Sequence, residues 1–96
     1  WQAVPQLPEA VPDAVLLSAG ERYTELVKRV RAEYGRIDAA AVLEIIKRPV
    51  AMSSNLHNAV FAPERLTLWV NNASRNGPAC NEPAAEYTWA QLFGER

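Results

Sequence analysis

The sequence predicts an α+β fold: an αα-hairpin, then a β-hairpin, then a short terminal helix. Three observations carry that expectation. Tyr23, Leu26, Val27, Val30 and Tyr34 recur at helical spacing, with Glu25, Lys28, Arg29 and Arg31 on the other face. A second helical run, "AAAVLEIIK", follows Asp38 and stops before Pro49. Two short apolar segments rich in β-formers, "LHNAVFA" and "LTLWVNN", then flank "PER".

The chain divides into residues 1–17, read as an extended Pro-rich arm, and residues 18–96, read as the C-terminal part of a domain. Pro5, Pro8 and Pro12 fix their own φ and bias the residues before them toward extended backbone. An arm of that kind lies over something, and the expectation is a piece of a longer polypeptide. The αα-hairpin spans 18–48. Its first helix has Ser18 as N-cap, with Glu21 three residues on completing a capping box, and Gly35 as the residue after the C-cap. Asp38 caps the second helix, Lys47 and Arg48 suit the negative end of its dipole, and Pro49 stops it. The "GRID" linker is short enough to make the two helices antiparallel neighbours.

The β-hairpin spans 55–72, with Pro63 at the first central position of its turn. Pairing Ala62 with Leu66 sets Val60 opposite Leu68, Asn58 opposite Val70, Phe61 opposite Thr67, Ala59 opposite Trp69 and His57 opposite Asn71. A slip of one residue would separate His57 from Asn71. With Val60, Leu68 and Val70 on one face and Phe61 and Trp69 on the other, both faces of the hairpin are partly apolar, so it belongs inside a layered sheet rather than alone in water. The remainder, 73–96, is loop marked by Asn76-Gly77-Pro78 and Pro83, then a short helix with Thr88 and Gln91 as a second capping box and Gly94 as its stop.

Composition excludes some functions. A net charge of −1 over 96 residues lacks the cationic excess that replaces counterions on a nucleic acid. No apolar run approaches the ~20 residues of a membrane span. The single cysteine, Cys80, cannot form a disulfide within the chain. The single histidine, His57, has no carboxylate or thiolate at ligand spacing, so neither a metal nor another cofactor is implied.

The candidate chemistry gathers in "AMSSNLHNAVF", where Ser53, Ser54, Asn55, His57 and Asn58 crowd the approach to the first strand. One reading is a polar turn whose side chains satisfy the backbone. The other aims Asn55 or a serine hydroxyl at a substrate carbonyl or developing oxyanion. His57 is either a hydrogen-bonded strand histidine or a pocket residue that orients a catalytic group. Neither serine has the glycine-flanked elbow of a hydrolase nucleophile. Cys80 sits in a Pro/Asn-rich loop with no base beside it, an ordinary loop thiol, and an enzyme built on Cys80 and His57 is the remotest option. The charged face of the first helix reads as solvated, and Trp69 and Trp89 as packing residues with no interleaved cations.

"YGRIDAAAVLEIIKRPVAMSSNLHNAVFAPERLTLWVNNA", followed by "GPAC", resembles the C-terminal part of the acyl-coenzyme A:6-aminopenicillanate acyltransferase-like family of self-processing N-terminal-nucleophile hydrolases. The likeness covers residues 34–80 and extends more loosely to "EYTWAQLF"; its most specific piece is "SNLHNAVFAPERLTLWV". The resemblance implies an αββα sandwich, autoproteolysis, and hydrolysis or acyl transfer at linear amide bonds. The nucleophile is then an N-terminal cysteine whose own amino group is the base. No cysteine of this chain fits that role, so the resemblance implies a partner: the upstream portion of the same precursor, carrying the cysteine. A small amide or acyl compound is the implied substrate, and this chain alone is inactive. No catalytic residue is assigned to these 96 residues; Ser54, Asn55 and His57 are the implied pocket or supporting residues. The alternative is a non-catalytic interaction module that binds a partner through its apolar β-hairpin.

Overall fold

The computed structural model describes residues 11–94. The element order is α1 (Gly20–Ala32), α2 (Ala39–Ile45), β1 (His57–Ala62), β2 (Thr67–Asn72), β3 (Ala85–Thr88) and α3 (Trp89–Phe93). The α+β class is therefore observed. Two compact units divide the chain, Trp1–Ala51 and Met52–Arg96. Most of the expected 1–17 arm lies outside the described residues.

In the first unit, Tyr23, Val27 and Val30 of α1 form a core with Val11 and Ile45. Leu26 is half-buried against that core, whereas Tyr34 falls beyond the helix and is exposed. α1 begins later than its sequence suggests. Gly20 takes a left-handed φ of 57°, Ala19 becomes the N-cap, and no side chain caps the first turn. That shift leaves the Ser18 hydroxyl oxygen buried without a partner. Gly35 does adopt positive φ, 86°, but two residues past the Glu33 C-cap.

α2 starts as expected, the Asp38 carboxylate accepting the Ala41 N–H at 2.8 Å. It ends at Ile45, short of Lys47 and Arg48. The reason lies on α1. Arg29 Nη1 donates to the carbonyls of Ile45 and Lys47 at 3.0 and 2.9 Å, and Nη2 to Arg48 O at 2.8 Å. Glu25 holds the same guanidinium through Nε at 2.9 Å. A planar, five-donor cation thus closes the carbonyl end of α2, where the helix dipole is negative. Arg22 adds a bond to Val50 O at 2.8 Å. Arg29 is a cap between helices, which corrects its assignment to a solvated face.

The second unit holds a three-stranded antiparallel sheet in the order β1-β2-β3. The β1–β2 register differs from the expected one by a single residue: Ala62 pairs with Thr67, Phe61 with Leu68, Val60 with Trp69, Ala59 with Val70, Asn58 with Asn71 and His57 with Asn72. The turn supplies the extra residue. Pro63–Arg65 makes one 3-10 turn, and Leu66 follows in left-handed backbone (φ 48°) before β2 begins. His57 and Asn71 therefore do not face each other.

β3 was expected to be loop. It pairs along β2 from Thr67 opposite Thr88 to Val70 opposite Ala85. α3 then begins as its sequence indicates. Thr88 N–H donates to Gln91 Oε1 at 2.7 Å, and Gln91 N–H to Thr88 Oγ1 at 3.2 Å. Gly94 closes the helix at φ 78°.

The register sorts the sheet into two faces. One carries Asn58, Asn71, Val60 and Trp69, all buried or half-buried. The other carries Ala59, Val70 and Ala85 in one row and Phe61, Leu68 and Tyr87 in the next. On that second face Phe61 is 67% exposed and Tyr87 40%. An apolar sheet face is turned outward.

Candidate functional site

The polar approach to β1 folds into a clamp centred on Asn55. Its N–H donates to Met52 O at 2.9 Å, closing a turn over the serines. Its carboxamide Nδ2 donates to Asn58 Oδ1 at 2.9 Å and to His57 O at 3.2 Å. Its Oδ1 accepts the Cys80 N–H at 3.0 Å, while its own carbonyl accepts the Ala79 N–H at 2.9 Å. One residue thereby fastens the 3-10 turn Ala79–Asn81 to the start of the hairpin. Every polar group of Asn55 is engaged locally, the arrangement of a positioning residue rather than of a donor aimed at substrate.

The other predicted residues are not brought together. Ser54 and His57 are exposed, and His57 pairs across the sheet with Asn72. Cys80 is buried at 2% exposure, and its thiol contacts Asn81 Oδ1 at 3.7 Å, not His57. A nucleophile–base pair requires that contact. Among the described residues no cluster of His, Cys, Asp and Glu can hold a metal ion.

Asn58, from the polar run before β1, and Asn71, which was not among the candidate residues, extend the clamp inward. Asn58 and Asn71 face each other across β1 and β2. Asn58 receives the Asn55 bond, and Asn71 Nδ2 donates to Glu82 O at 3.3 Å. Asn58 Nδ2 and Asn71 Oδ1, one donor and one acceptor, stay buried without partners. Asparagines at facing strand positions were the available signal, hidden by the one-residue error in register.

At the other end of the sheet lies an apolar groove of about 390 Å³, lined by Phe61, Leu66, Leu68, Trp89, Leu92 and Phe93. α3 is tied into it by Trp89 N–H to Leu66 O at 2.8 Å, and the Trp89 and Phe93 rings sit 4.5 Å apart. None of the α3 residues is buried. Leu66, 59% exposed, displays its side chain from left-handed backbone, a conformation that costs a non-glycine residue about 1–2 kcal/mol.

No helix among the described residues is long and apolar enough to cross a membrane. Comparison with protein-family models, with curated proteins and with solved structures finds no match.

Proposed function

We propose that this chain is the C-terminal part of a self-processing cysteine amidohydrolase or acyltransferase, in which it builds one wall of the assembly and carries no nucleophile. The observation behind the reading is the outward apolar face of Phe61, Leu68 and Tyr87, continuous with the groove beside α3. Contiguous apolar surface of this kind marks a face that another layer covers. The likeness of "SNLHNAVFAPERLTLWV" to the acyltransferase-like family supplies the chemistry: an N-terminal cysteine attacks a linear amide and its amino group takes the proton. The αββα sandwich is part of the same proposal.

Within it, Ser54 and His57 line the approach to the site from exposed positions, and Asn55 holds the wall in place through Cys80 and Asn58. Native mass spectrometry of the protein from its source tests the reading. The expected result is a companion portion beginning in cysteine, with amide hydrolysis abolished by thiol alkylation at that residue. A monodisperse monomer of this chain, without amide turnover, overturns it.

The same groove favours a second reading, a non-catalytic module that docks a partner on its apolar hairpin. The two part at the companion: here it lacks an N-terminal cysteine and the complex leaves amides intact.

A further inference from the structure

We propose that Asn58 and Asn71 bind one buried water molecule between them, and that this water closes a ring of carboxamides beneath the Ala79–Asn81 turn. The ring can be followed from donor to acceptor. Cys80 N–H donates to Asn55 Oδ1 at 3.0 Å, and Asn55 Nδ2 donates to Asn58 Oδ1 at 2.9 Å. On the neighbouring strand, Asn71 Nδ2 donates to Glu82 O at 3.3 Å. Cys80 lies in the turn and Glu82 is its C-cap, bonded back to Ala79 O through its own N–H at 3.0 Å. The bonds thus leave the turn at Cys80 and return to it at Glu82. Among the described residues, Asn58 Nδ2 and Asn71 Oδ1 are the two members of this ring with no protein partner.

The polarity of those two atoms is fixed from both ends of the ring. A backbone N–H only donates, and a backbone carbonyl only accepts. Cys80 N–H therefore turns the Asn55 oxygen toward itself, which sets the Asn55 nitrogen on Asn58 and, at 3.2 Å, on His57 O. That nitrogen selects the oxygen of Asn58, and Glu82 O selects the nitrogen of Asn71. Turning any of the three carboxamides over would set donor against donor or acceptor against acceptor. What remains is one donor on Asn58 and one acceptor on Asn71.

Register and burial select the occupant. Ala73 N–H donates to Leu56 O at 2.8 Å, which marks Leu56 and Ala73 as a hydrogen-bonded pair, and alternation makes Asn58–Asn71 the next one. Facing residues of such pairs stand about 5.5 Å apart at Cα, the wider of the two antiparallel spacings, which favours a bridge over direct contact. Both atoms are shut off from solvent, and Asn71 is only 5% exposed. A buried donor or acceptor left unmatched is destabilising, so a ligand that matches both is retained. A cation would meet the Asn58 donor, and an anion the Asn71 acceptor. Water accepts from one and donates to the other, and it is the smallest molecule that does both.

A crystal structure of the protein from its source, at a resolution that shows ordered solvent, tests the site without any substitution. The expected result is one density peak at about 2.7–3.2 Å from both Asn58 Nδ2 and Asn71 Oδ1. Direct contact between those two atoms, a gap without density, or a peak with the coordination of an ion overturns the proposal. Solution measurements test the link independently. Asn58→Ala, Asn71→Ala and the double variant are compared by chemical denaturation. Either single change already breaks the ring, so the midpoint shift of the double variant is expected to be smaller than the sum of the two single shifts. Additive shifts overturn the link between the two asparagines.

Discussion

The carboxamide oxygen of Asn55 accepts the backbone N–H of Cys80 at 3.0 Å, across 25 residues of sequence. This bond joins the turn at Ala79–Asn81 to the hairpin and is the centre of the polar clamp. Asn55→Ala removes an acceptor from a buried N–H and a donor from Asn58. The expected cost is about 2–3 kcal/mol of stability, read by chemical denaturation. Under the proposed function, the same change in the complete assembly is expected to lower amide turnover more than Cys80→Ala does. Equal turnover in wild type and both variants would remove Asn55 from any part in the site.

Arg29 closes the carbonyl end of α2 with its planar fork. Lysine keeps the charge but cannot reach three carbonyls and Glu25 at once. Arg29→Lys is expected to destabilise the helical unit by about 1–2 kcal/mol. Lys28→Ala, on the exposed face of the same helix, is expected to change stability by less than about 0.5 kcal/mol. Denaturation curves that match for the two variants would contradict the capping role.

Leu66 holds left-handed backbone while lining the groove. Leu66→Gly relieves the backbone, with a net gain of about 0.5 kcal/mol after the greater freedom of glycine in the unfolded chain. The same substitution removes an exposed apolar side chain and should weaken assembly. Opposite signs for stability and association, measured by thermal melting and by size-exclusion chromatography, are the expected signature.

Tyr34 donates its hydroxyl to Asp13 Oδ2 at 3.3 Å. Desolvation, and then the charge and hydrogen bond of Asp13, push its pKa above the ordinary value of 10.0. A raised folded pKa means the folded state holds its proton longer. The contribution to stability is therefore complete below the ordinary tyrosine pKa and is lost as pH rises through the folded one. Asp13→Asn should move the phenolate transition of Tyr34 downward. Ultraviolet titration, with Tyr34→Phe identifying the step, measures it.

Two of the three caps written in short-range chemistry were legible; the Ser18–Glu21 box failed because Gly20 takes left-handed backbone and Ala19 becomes the N-cap. Asp38 capping α2 and the Thr88–Gln91 box each need only neighbours within three residues. The register was not legible, because it turns on whether Leu66 joins the loop or the strand, and leucine seldom takes the left-handed conformation that decides it. β3 escaped because its Ala85–Thr88 span is four residues long and ends on a helix cap. Arg29 looked like surface since its partners lie 16 to 19 residues away. Of the site, the polar crowding before β1 was visible, but the Asn58–Asn71 pairing depended on the register and was lost with it.

That register carries a consequence for how sequences of this kind can vary. The hairpin sorts its side chains between the two faces of the sheet by parity alone, with Ala59 and Phe61 on the outward face beside Val70 and Leu68 because four residues, Pro63 to Leu66, separate the strands. Substitutions within the strands alter single contacts. A one-residue deletion in the loop would instead swap the sides of every residue on one strand, separating Asn58 from Asn71 and Phe61 from Leu68 in the same stroke. Natural drift in this hairpin should therefore run in residue identity and be nearly absent in loop length.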